Sequence, residues 1–235
     1  MTATEPSRIP TPTPTPAAAP APALVLFAGA LCFATGDLLR RTVDGSAATP
    51  VELMRAVDAH EGVWLVAGGL SVLAPVLMLP GLAWLFATTR GRGERATRLG
   101  AALLALGQLA AVGHAVAFYG LPTIGTHAGL SASSYDALDR ASEHSPLLIG
   151  LIVLFILGNL VGTLVLFAGL RRARRVPVWS LVACVVLLAT ANAGGVAAGV
   201  LGLLVTVAMY APLCWSALPA YSPVERQGLR RNAAT

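Results

Sequence analysis

The sequence predicts an all-helical membrane bundle with six transmembrane spans and both chain ends on the cytoplasmic side. Three observations carry this expectation. Apolar residues make up 56% of the 235 and charged residues only 11%, where a soluble domain carries about 25% charged. The apolar residues come in blocks of roughly 18 or more, the length at which a helix crosses a ~30 Å hydrocarbon core. The basic residues collect in alternate turns between those blocks. Mean hydropathy is +0.73.

Residues 1–22 are Pro, Thr and Ala for the most part, including the run from Pro10 to Pro16. Such a segment lacks the bulk for a core and favours extended polyproline, so it reads as a disordered cytoplasmic tail. A secretory signal would need a basic start and a small-residue cleavage site after the apolar stretch. Arg8 alone is basic here, and the large Leu31 before Cys32 argues against a lipoprotein signal. The first apolar block therefore reads as a retained helix.

The six blocks are Ala23–Leu39, Gly62–Thr88, Leu99–Leu121, Pro146–Leu170, Val178–Ala193 and Gly195–Leu218. They form the membrane domain, residues 23–218, and residues 219–235 follow as a basic cytoplasmic tail. The last two blocks make one apolar stretch of about forty residues, twice what one span needs. Asn192-Ala193-Gly194-Gly195 is the turn signal inside it. Charge supports the count. With the N-terminus inside, twelve Arg fall on the cytoplasmic side: Arg8, the Arg90–Arg98 group, the Arg171–Arg175 group, Arg226, Arg230 and Arg231. Four fall outside: Arg40, Arg41, Arg55 and Arg140. That bias is the positive-inside pattern of a plasma-membrane protein.

Two long outer loops follow the first and third blocks. Thr49-Pro50-Val51-Glu52 has the form of a capping box with Pro at the first helical position. Ser133-Ser134-Tyr135-Asp136 offers an N-cap for a short helix over Ala137–Ser142, and Pro146 can begin the fourth span. Both loops end with His beside Glu, at His60-Glu61 and Glu143-His144, and both following spans end in an Arg-rich turn. The pattern suggests a duplicated two-helix unit, residues 23–98 and 99–175, followed by a final hairpin.

Net charge is +5 and the sequence pI is about 9.7, yet topology accounts for the arginines and no nucleic-acid motif accompanies them. Nucleic acid is not an expected partner. The lipid bilayer is, with anionic headgroups at the Arg-rich turns. A second copy of the chain or another membrane protein remains open as a partner. Cys32, Cys184 and Cys214 all lie in apolar blocks, form no CxxC pair and read as packing residues.

Ionisable residues inside a bilayer draw functional attention because burying them is costly. Asp37, near the outer end of the first span, and Glu61 are candidate catalytic acids, and His114 is the candidate base. His114 lies seven residues before Leu121, roughly 10 Å below the outer end of its span. Candidate ligand-binding residues are His60, Gln108, His114, His144 and Asn159. His60, His114 and His144 are also the weaker candidates for a metal or haem site, because imidazole ligates both. No HExxH or i,i+4 pair supports a metal, and no cofactor is expected.

Each candidate has a plainer account. Asp37 has Arg40 and Arg41 three and four residues on, within reach on one helix face. His60, His127 and His144 fit a wetted headgroup boundary. Gln108 and Asn159, at mid-depth, fit interhelical hydrogen bonding. Gly158–Gly162 and Gly195–Gly199 are GxxxG patterns for close helix packing, and Pro75 and Pro80 fall inside the second span.

Several stretches resemble a broad group of small, six-helix membrane proteins from high-GC actinobacteria. They are GDLLRR at Gly36–Arg41, AHEGVW at Ala59–Trp64 and GLRRARRVPVW at Gly169–Trp179, together with the all-Arg basic content. The resemblance implies a fold and a membrane location, and no activity. The chain has no P-loop, GxSxG, Rossmann or kinase signature. The residues favour a non-enzymatic protein that binds or moves a small ligand or lipid, or supports a membrane complex. A membrane-embedded enzyme acting on a lipid or isoprenoid is the alternative, and a haem or metal redox protein a third.

Overall fold

A computed structural model describes residues 21–45, 49–190 and 193–217. The expected tails, apart from Ala21 and Pro22, lie outside the described residues, as do Arg8, Asn192, Leu218, Arg226, Arg230 and Arg231. Eight helices are described: α1 (Ala21–Asp44), α2 (Pro50–Ala59), α3 (Glu61–Thr88), α4 (Glu94–His127), α5 (Ala132–Glu143), α6 (Pro146–Arg172), α7 (Val178–Thr190) and α8 (Gly195–Ala217). No strand occurs among the described residues.

Five helices, α1, α3, α4, α6 and α8, are long and apolar enough to cross a membrane. They make the chain a multi-pass membrane-embedded protein. The expected fifth span differs. It appears as α7, 13 residues long, which rises roughly 20 Å against a ~30 Å core. Helix α7 ends at Thr190, and α8 begins at Gly195, whose φ of +82° a side chain would resist.

The six long or apolar helices form a ring in which α1 neighbours α3, then come α4, α6, α7 and α8, and α8 returns to α1. Two contacts fix the closure. Arg41, in the last turn of α1, donates to the carbonyl of Ala193 just before α8. At the other end the Cys214 thiol lies 3.5 Å from the Ala23 carbonyl. Helix α8 therefore runs antiparallel to α1. The segment containing α7 leads from the Arg-rich turn after α6 to the end of the bundle where α1 finishes.

Glycine lets the backbones approach. A Cβ added at Gly107 of α4 would lie 2.7 Å from the backbone of Gly158 and Asn159 on α6, so only hydrogen fits there. The Gly158–Gly162 pattern thus serves packing against α4. In the Gly195–Gly199 pattern, Gly199 lies against Leu38 and Arg41 of α1.

Helices α2 and α5 sit together at one end of the ring. Helix α2 has the expected capping box: Glu52 N donates to Thr49 Oγ1, and Thr49 N to Glu52 Oε2, both at 3.2 Å. Helix α5 starts five residues before the expected Ala137. Ser131 is its N-cap, accepting from Ser134 N at 3.2 Å. Ser133 and Ser134, expected as the cap, instead occupy the first turn, because the hydroxyl of Ser131 already satisfies that free amide. Pro146 opens α6 as expected. Both α1–α2–α3 and α4–α5–α6 are thus a long helix, a short one and a long one, followed by the α7–α8 hairpin.

Candidate functional site

The last turns of α1 carry a four-residue ion network. Asp37 accepts from Arg40 (Nη2 to Oδ1, 2.8 Å) and from Arg41 (Nε to Oδ2, 2.6 Å). Arg40 also pairs with Asp44. Helical spacing places these partners on one face, and two carboxylates against two guanidinium groups leave no net charge. Arg41 is only 6% exposed, and its bond to Ala193 anchors the α7–α8 turn to α1.

On α4 the residues Gln108, Ala111, His114, Ala115 and Phe118 recur every three or four positions and so share one face. His114 stacks on Phe155 of α6, with ring centroids 4.7 Å apart and planes 22° from parallel. Phe118 lies 5.7 Å from His114, and Phe33 of α1 lies 6.4 Å from Phe155. The Arg40 guanidinium rests over Phe118 at 5.9 Å. Above this cluster, Trp64 donates its indole N–H to the Tyr119 carbonyl at 2.9 Å. Ser71 Oγ donates to the Ala67 carbonyl at 2.9 Å and lies 3.3 Å from the Tyr119 hydroxyl.

Deeper in the bundle, Asn159 Nδ2 donates to the Phe155 carbonyl at 2.9 Å. Asn159 Oδ1 accepts from Gln108 Nε2 at 2.5 Å. Gln108 is 2% exposed, and its Oε1 has no hydrogen-bond partner among the described residues. A buried acceptor left unpaired costs about 1–3 kcal/mol.

Most of these side chains, from Phe33 and Asp37 to Gln108, His114, Phe155 and Asn159, line a cavity of about 480 Å³ within the ring. All six ring helices contribute to its wall, α7 through Leu187 and Leu188 and α8 through Gly202 and Thr206. The wall is mostly apolar and aromatic, with polar side chains such as Gln108, His114 and Asn159 and the Asp37–Arg40–Arg41 group set into it, a make-up that small-molecule sites share.

Of the sequence candidates, Asp37, Gln108, His114 and Asn159 line this cavity, whereas His60, Glu61 and His144 do not. Glu61 accepts from His127 Nε2 at 2.9 Å at the rim, where His127 is 65% exposed. His144 Nδ1 lies 2.8 Å from the Arg140 carbonyl in the last turn of α5. His60 is exposed at the junction of α2 and α3. The histidines are therefore dispersed, and no group of three metal-ligating side chains occurs among the described residues. Sequence reasoning passed over Phe33, Phe118, Phe155 and Thr163 as wall residues. The signal for some of them was present: Phe33, Asp37 and Arg40 follow i, i+4, i+7 on α1, as Gln108, His114 and Phe118 share a face on α4.

In comparison with known proteins, no family model, no curated protein and no solved structure matches the chain.

Proposed function

We propose that this is a six-crossing membrane protein that holds a small, largely apolar ligand in the cavity of its helix ring. It acts as a binder or carrier rather than as an enzyme. The observation that carries the reading is a cavity walled by all six ring helices, in which polar side chains such as Gln108, His114 and Asn159 are set among aliphatic and aromatic ones.

Support for the sixth crossing comes from the bond between Arg41 and Ala193, which puts the end of the α7 segment beside the end of α1. Four residues link α7 to α8, and each extends up to about 3.3 Å, so helix and link together reach across the core. The Arg-rich turns then face the cytoplasm of a plasma membrane, in keeping with the positive-inside pattern. Their exposed side chains, among them Arg90, Arg92, Arg95, Arg172 and Arg174, would meet anionic headgroups.

The enzyme reading keeps one observation in its favour: Asp37 and His114 line the same cavity. Two guanidinium groups already engage both oxygens of the Asp37 carboxylate. Glu61, the other candidate acid, lies outside the wall. Binding is the stronger reading.

Native mass spectrometry of the protein taken from its own membranes in mild detergent tests it. A discrete small mass should accompany the native chain and be lost from Gly202→Leu. A Cβ at Gly202 meets only Leu187 Cδ1, at 3.9 Å, so the larger side chain grows into free space in the cavity. A bare native chain, or the same mass on both proteins, would count against an intramembrane ligand.

A further inference from the structure

The amide relay across α4 and α6 has a direction, and the direction selects a ligand. The Phe155 carbonyl only accepts, so Asn159 must present Nδ2 to it. That leaves Asn159 Oδ1 as the acceptor facing α4, and Gln108 must answer with Nε2. The remaining polar atom of Gln108 is Oε1, a pure acceptor. It is buried and unpartnered on a side chain of the cavity wall. Rotating either amide by half a turn would set two acceptors or two donors against each other. The relay therefore ends in a fixed acceptor, which asks for a donor from whatever occupies the cavity.

Charge narrows the class. The Asp37, Asp44, Arg40 and Arg41 network sums to zero, and beyond Asp37, Arg40 and Arg41 no acid or Arg lines the cavity among the described residues. A charged ligand would lie uncompensated in a low-dielectric cavity, at high cost. A neutral ligand suits it. The rings of Phe33, His114, Phe118 and Phe155 lie 4.7–6.4 Å apart in contacting pairs, and ring-to-ring packing at such distances is favourable.

We infer that the cavity takes a neutral, phenol-like amphipath, whose hydroxyl donates to Gln108 Oε1 and whose ring packs among Phe33, His114 and Phe155. The inference rests on the proposed cavity-binding function and adds the ligand's chemistry to it. A ligand without a donor leaves the buried Oε1 unpaired, so the hydroxyl decides affinity as well as orientation.

The test compares 4-hexylphenol with 4-hexylanisole, its methyl ether, by equilibrium dialysis against the purified full chain. Gly202→Leu supplies the background of ligand dissolved in detergent. The phenol should bind saturably and at least tenfold more tightly than the ether, and Gln108→Leu should bring the two close to equal. Equal, saturable binding of both compounds to the native chain overturns donor recognition while leaving the cavity reading intact. No binding of either above the Gly202→Leu background overturns the cavity reading as well. If Gln108→Leu does not fold, the comparison of the two compounds on the native chain decides alone.

Discussion

Gln108 of α4 and Asn159 of α6 are joined by a 2.5 Å amide hydrogen bond inside the bundle, next to the backbone contact of Gly107 with Gly158. The close approach brings the two amides within reach. Interhelical hydrogen bonds of this kind contribute about 0.6 kcal/mol on average in membrane proteins and up to about 1.7 kcal/mol. Asn159→Leu strips Gln108 of its partner, so both polar atoms of a buried amide are left unpaired. It should destabilise the fold by about 1–2 kcal/mol, read from unfolding in a denaturing detergent titration. Unchanged stability would mean that the pair does not hold α4 to α6.

Gly107 should tolerate no side chain. Gly107→Ala drives a methyl group into the α6 backbone, and overpacking of this kind costs about 1–3 kcal/mol. Gly69 and Gly150 are helical glycines with nothing within 4 Å of an added Cβ. Alanine there should be neutral or stabilise by up to about 1 kcal/mol. Thermal unfolding of the three variants side by side checks the contrast.

Asp37 holds two arginines, one of them buried. Asp37→Asn removes the charge that Arg41 faces and loosens the anchor of the α7–α8 turn. Breaking a fully buried pair costs ~3–5 kcal/mol. Asp37 is 32% exposed, so water screens part of the loss, and a cost of about 2 kcal/mol is expected. Arg40 is the more exposed partner, at 23% against 6%, so Arg40→Gln should cost less. A catalytic Asp37 would instead lose turnover while keeping stability.

Asp139 on α5 gives the fold a pH dependence. Burial, then the charges of Glu143 and Asp136, hold its carboxyl above the ordinary range. A group whose pKa is raised on folding binds its proton more tightly in the folded state. Its contribution is full below the ordinary carboxylate pKa and is lost as pH rises through the raised value. Thermal stability should fall with rising pH in that window. Asp139→Asn should flatten the fall and be the more stable chain at neutral pH. A native-like slope in the variant would assign the dependence to another group.

The span positions were legible because apolar blocks measure themselves against the bilayer: α3 differs from its expected block by one residue and α6 by two. The start of α7 at Val178 was legible too, since Pro177 precedes it. Its short length was not, because hydropathy continues unbroken to the glycines before α8. The capping box of α2 could be read from Thr49 and Glu52, whereas three nearby serines left the start of α5 ambiguous. Asp37 with its arginines was legible from spacing on one helix. The cavity was not. Phe33, Phe118 and Phe155 come from three helices, and in sequence an aromatic facing lipid is indistinguishable from one facing a cavity. Glu61 and His144 looked similar to Asp37 by depth alone, and only the packing of α2 and α5 separates them from the cavity wall.

The closed ring underlies the cavity and the binding proposed for it, and a ring closed across the bilayer requires α7 to lead across the membrane. Single cysteines at Gly194 and Arg172 test this in a chain whose Cys32, Cys184 and Cys214 are replaced by alanine. Both positions are exposed, and a Cβ at Gly194 meets nothing within 4 Å. A membrane-impermeant maleimide applied to intact cells should label Gly194→Cys at once and Arg172→Cys only after permeabilisation. If both label, or neither does until the membrane is opened, the α7 segment returns to the side it left and the ring does not close across the bilayer.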